Sequence, residues 1–104
     1  MTVEIKNEAG VIAFSNDLSA LLNYRKVAPV RAVSVSNFND IPVIIVLFGD
    51  NIGKELGAWA VAKFDSFIVA KNFAEHLFAA HLEKYVEKDG EIGWKTKKIQ
   101  NLCV

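Results

Sequence analysis

The 104 residues include one cysteine, two prolines and two histidines, and the 12 basic side chains are matched by 12 acidic ones. A lone cysteine, Cys103, cannot close an internal disulfide, and such sparse use of cysteine suits a reducing compartment. A net charge of zero argues against broad electrostatic recruitment to nucleic acid or to an anionic membrane, since both need a surplus of basic charge. No apolar run approaches the roughly 18–20 residues of a membrane helix. The opening MTVEIKNEAG carries charge and a turn where a secretory signal needs an apolar core. The expectation is a soluble cytoplasmic protein without membrane contact.

Catalytic signatures are equally scarce. There is no GxSxG nucleophile elbow. His76 and His81 are five residues apart, which on a helix at about 100° per residue turns them roughly 140° away from each other. A zinc pair on a helix wants a spacing of four. Gly49-Asp50-Asn51-Ile52-Gly53-Lys54 is one residue short of a phosphate loop, and Glu55 stands where a magnesium-binding Ser or Thr belongs. Asp40, Asp50 and Asp65 all fall in turns, where aspartate bonds its own backbone. Cys103 has no histidine near it in sequence. No catalytic residue, metal ligand or cofactor is assigned.

What is abundant is apolar content, at 52% of residues against roughly 45–50% in ordinary soluble domains. A domain this small buries only part of its surface, so the excess points to an interface. The chain is organised around Ile41-Pro42-Val43-Ile44-Ile45-Val46-Leu47-Phe48. Eight uncharged residues, mostly β-branched and closed by turn residues, read as a strand buried on both faces.

Around it, Thr2–Lys6 alternates with period two and Val11–Phe14 follows a turn, giving a hairpin. Ser15-Asn16-Asp17 offers helix caps, and Leu18, Leu21 and Leu22 share one helical face up to Tyr24-Arg25-Lys26. Pro29 closes that helix. Val30–Phe38 is a strand with one wetter side, antiparallel to the central one. In Leu56–Lys63, Ala58, Ala60 and Ala62 lie on one face, with Trp59 and Val61 on the other. Three alanines make a shallow surface onto which a helix can settle. Phe67–Ala70 reads as a short strand. Asn72 with Glu75 resembles a capping box, and Ala74, Leu77, Phe78, His81, Leu82 and Tyr85 recur every three or four residues, which predicts one long helix over 72–88. Asp89-Gly90 would end it.

The predicted architecture is α+β: a mainly antiparallel sheet of four to six strands, a helix after the N-terminal hairpin, and a long C-terminal helix packed on one face. The chain is read as one domain over 1–104, with 89–104 an edge strand or tail. Both helices would cover the alanine face. The opposite face, with Trp59, Val61 and alternate residues of Ile41–Phe48, would be left for a partner, either another protein or a second copy in a homodimer. Trp94-Lys95-Thr96-Lys97-Lys98 is the one local charge excess, so Trp59, Trp94, Lys95, Lys97 and Lys98 are the candidate partner-binding residues. Such a pattern can also stack bases and hold phosphates. The first functional reading is a non-enzymatic protein-interaction module. The alternatives are a single-stranded nucleic-acid binder, and a small-molecule pocket between the long helix and the sheet with His81 as its polar group.

Overall fold

A computed structural model describes residues 2–7, 9–26, 28–49 and 58–96. In chain order these form β1 (Thr2–Asn7), β2 (Gly10–Ser15), α1 (Ser19–Arg25), β3 (Val30–Phe38), β4 (Ile41–Phe48), β5 (Ala58–Lys63), α2 (Phe67–Leu77), β6 (Leu82–Lys88) and β7 (Glu91–Thr96). The strands make one sheet in the order β2-β1-β5-β4-β3-β7-β6, and every neighbouring pair is antiparallel.

Two described dipeptides close hairpins over two residues. Asn39 and Asp40 have φ of 53° and 67°. Positive φ at both central residues gives a two-residue loop the twist that matches its strands, and Phe38 lands opposite Ile41. Asp89-Gly90 closes β6 and β7 over two residues as well, here with positive φ at Gly90 alone (84°) and Lys88 opposite Glu91.

Register then sorts the side chains into two faces. On one, Ile5, Ala60, Val46, Val33 and Trp94 line up across five strands, and Val3, Ala62, Ile44, Val35 and Ile92 form the next row. All ten are buried. This face lies under the helices: α1 over β1 and β2, α2 over β3 and β4. Leu21 of α1 and Ala70 and Ala74 of α2 are fully buried against it. Arg25, at the end of α1, joins the two helices. Its guanidinium donates to the Leu77 carbonyl at 2.5 Å, satisfying a group that a helix C-terminus leaves free, and sits 5.7 Å from the centre of the Phe78 ring.

The alanine row of β5 is thus a fitted floor beneath the helix layer. Ala60→Leu is expected to cost about 1–3 kcal/mol through overpacking, while Val61→Thr, one residue along on the other face, should cost less than about 1 kcal/mol. Urea denaturation of the two variants checks this; equal costs would mean that the faces are misassigned.

The structure corrects the predicted architecture in several places. Among the described residues there are seven strands where four to six were expected, and no long C-terminal helix. Phe67–Ala70 is not a strand but the first turn of α2, whose cap is Ser66, its hydroxyl accepting from the Val69 N–H at 3.4 Å. The helix stops at Leu77, and Leu82–Lys88 returns as β6. The segment expected as an edge strand or tail supplies β7, which lies between β3 and β6; residues 97–104 are outside the described residues. The central strand is buried on both faces only in part, since Ile41 and Ile45 are 43% and 36% exposed.

Candidate functional site: the open face of the sheet

The same register that fills the core leaves a second set of rows facing away from the helices. Lys6, Trp59, Leu47, Ala32 and Lys95 form one; Glu4, Val61, Ile45, Ser34 and Gly93 the next; Lys63, Val43, Ser36 and Glu91 the third. Neither helix covers them. In the first two rows the members on β5, β4 and β3 are apolar or small; charge stands at Lys6, Lys95 and Glu4 and, in the third row, at Lys63 and Glu91. Lys6 and Glu4 pair at 3.2 Å on β1. Phe38 and Ile41 extend the apolar strip to the end of the β3–β4 hairpin, where with Asn39, Val43, Ile45, Val61 and Lys63 they line a hollow of about 350 Å³.

On the far flank, Tyr85 of β6 lies on this face by ordinary alternation, two residues on from Glu83 opposite Lys95, beside a bulge between Lys84 and Val86. Its ring lies over Gly93, so close that a Cβ there would stand 2.9 Å from ring carbons. An aromatic lid of this kind shields the bare backbone of a strand glycine. Lys95 Nζ sits 5.0 Å from the centre of the same ring. Tyr85 is still 52% exposed, so the pair is a ready surface element. The spacing that placed Tyr85 on a helical stripe concealed this role.

Geometry sets the scale. Three strands about 4.8 Å apart and some six residues long give the apolar strip about 300 Å². That matches the largest apolar patch of a typical monomer, a size that is often functional. The whole seven-stranded face, about 34 Å by 20 Å, comes to about 700 Å², close to the roughly 800 Å² that each partner contributes to a standard interface.

The predicted partner-binding residues separate. Trp59 is half-buried at the centre of the open face and Lys95 is exposed at its flank. Trp94 points the other way and is 4% exposed in the core, so it is not a surface aromatic. Lys97 and Lys98 lie outside the described residues, as do Cys103 and the Asp50–Lys54 loop. His76 and His81 are both exposed, His81 in the turn before β6 and not on a helical stripe. They line a groove of about 470 Å³ with Arg25, Leu77, Phe78 and Leu82. Asp40 and Asp65 are exposed and line the same open hollow of about 380 Å³, together with Pro42 and Lys63. Among the described residues, no three His, Cys, Asp or Glu side chains are grouped to hold a metal, and no helix is long and apolar enough to cross a membrane.

Along the guarded β6 flank, Lys84 and Glu87 meet at 2.8 Å, and Lys71 of α2 reaches Glu87 at 3.5 Å. The hydrogen bond from Lys84 holds the Glu87 carboxyl below its ordinary pKa and in turn raises that of Lys84. These are surface pairs, and they form no catalytic grouping.

No protein-family model, curated protein or solved structure matches this chain.

Proposed function

We propose that the protein is a non-enzymatic interaction module, an adaptor, inhibitor or assembly subunit, working through the open face of its sheet. One observation carries this: an apolar strip on β5, β4 and β3, rimmed by Glu4, Lys6, Lys95 and Glu91, that neither α1 nor α2 covers. An apolar centre with a charged rim is the usual anatomy of a protein interface. The occupant is the apolar surface of another protein or a second copy laid face to face. Its cellular setting is the cytoplasm, in keeping with the single cysteine.

Trp59, in mid-strip, is the anchor, since interface energy concentrates in a few central aromatics. Trp59→Lys is expected to weaken partner capture by roughly tenfold or more, about 1.4 kcal/mol, with an unchanged thermal melt. The measurement is affinity purification with full-length bait, followed by titration of the recovered partner. Equal affinity for wild type and variant would refute the assignment.

A second reading, a single-stranded nucleic-acid binder, draws on Trp59 and Tyr85 as stacking platforms beside Lys6, Lys63 and Lys95. The balanced net charge and the acidic Glu4 and Glu91 on the same face weigh against it. A salt-dependent gel shift with labelled oligonucleotides at low ionic strength would favour this second reading over the first.

A further inference from the structure

We infer that β2 is a pairing edge, and that it takes the β2 strand of a second copy in an antiparallel, two-fold arrangement. The sheet ends in two outer strands, β2 and β6. They are built differently. β6 reads LEKYVEK, and Lys84, Glu87 and Lys88 are held in ion pairs with one another, with Lys71 and with Glu91. A strand docking there would have to bury or displace charge, which is how natural sheets guard an edge. β2 reads GVIAFS. It has no charged side chain, and Val11, Ile12 and Phe14 are 55%, 45% and 56% exposed.

An outer strand presents a row of backbone N–H and C=O groups on the side away from its neighbour, and the matching chemistry is another extended backbone. The occupant must be extended, uncharged and apolar along β2. Among the described residues, one segment combines these properties while remaining unpaired along one edge: β2 itself. A two-fold axis normal to the sheet and passing near Ile12 would set the two strands antiparallel. Both open faces would then lie on the same side and both helix layers on the other, in one continuous sheet. Isologous pairing of this kind closes at two copies. It also leaves the open face free, so the inference goes beyond the reading of that face and stands or falls separately.

Two features limit its strength. The register between β1 and β2 slips at Ile5/Lys6, making Ile12 the extra residue of a bulge, which divides the outward row into two short stretches. Six residues of strand also bury far less than a standard interface. The dimer therefore forms in the micromolar range, not the nanomolar.

The test is amide hydrogen exchange on the full chain from low to high micromolar concentration, run beside sedimentation equilibrium. Expected are a mass rising from 11.5 kDa towards twice that value, and concentration-dependent protection in peptides covering Gly10–Ser15. Ile12→Lys places two ammonium groups together at the axis and should raise the dimer dissociation constant by roughly tenfold or more; Ile68→Lys, on the exposed side of α2, should leave it unchanged. If Gly10–Ser15 gains no protection, whether or not the mass rises, the inference is wrong. It is equally wrong if Trp59→Lys dissolves the dimer and Ile12→Lys does not. Because the exchange series is read on the wild-type chain, the outcome does not depend on how well either variant folds.

Discussion

Trp94→Ala is expected to lower the free energy of unfolding by about 3–5 kcal/mol, and removal of everything after Lys88 to abolish the cooperative transition altogether. The whole domain has a reserve of about 5–15 kcal/mol, so the substitution alone takes a large share. Trp94 is 4% exposed and ends the row Ile5, Ala60, Val46, Val33, Trp94. Without it, Val33 loses its neighbour on one side and Leu82 loses part of the surface it packs on. The truncation goes further. It removes β7, so β6 has no strand to pair with and β3 becomes an unguarded outer strand with Val33 and Val35 at its margin. Were 89–104 only the edge strand or tail that the sequence predicts, a chain cut after Lys88 would melt near the full-length temperature. Urea denaturation followed by far-ultraviolet circular dichroism decides. A loss below about 1 kcal/mol for Trp94→Ala, or a sigmoidal transition in the truncated chain, would show that β7 is dispensable.

Phe48→Ala should cost a comparable amount, about 3–5 kcal/mol, for a different reason. Phe48 is fully buried at the end of β4, opposite Ala58, whose methyl leaves room for the ring. It meets the Tyr24 ring of α1 edge-on, with centres 5.0 Å apart and planes at 70°. It therefore pins the end of α1 to the sheet as well as filling the core. Edge-to-face pairs contribute about 0.5–1.5 kcal/mol beyond area burial. A double-mutant cycle with Tyr24→Ala should recover a coupling of that size. Additive losses from the two single variants would mean that Phe48 acts by volume alone.

How much of this was readable depended on whether local signals agreed with the tertiary outcome. Period two in Val3 and Ile5, the leucine spacing of α1, and the Ala58, Ala60, Ala62 row against Trp59 and Val61 were all legible, because a half-buried strand and an amphipathic helix write their exposure directly into the sequence. The open face followed from the same row. The second half was misread at Ala79-Ala80-His81-Leu82-Glu83-Lys84. These are good helix formers with helix-like spacing of apolar residues, and intrinsic propensity is a weak prior that strand pairing overrides. The decisive local signal is Asp89-Gly90, a strong mark of a two-residue hairpin that equally fits a helix end. Recognising it would have forced strands on both sides and placed Trp94 in the sheet. The pairing of Tyr85 with Gly93 was not legible at all. It depends on the register of β6 against β7, which sets Glu83 opposite Lys95 and Tyr85 beside Gly93, and a helical reading of 72–88 hides that register.

The strand order also fixes when the molecule can hold together. β3 with β4 and β6 with β7 close over two residues each, so these hairpins can form within microseconds of their synthesis. The N-terminal hairpin is the first strand pair to be made, yet it joins the sheet only through β5, which is completed at Lys63. β3 waits longer still, since the strand that covers its second edge ends at Thr96. Pairings across such sequence separations carry the closure entropy that slows β-rich domains. Until β7 arrives, a nascent chain therefore holds Val33 and Val35 on an open edge and β2 on another, and this interval before closure is when it is most exposed to chaperones or to association with its own kind.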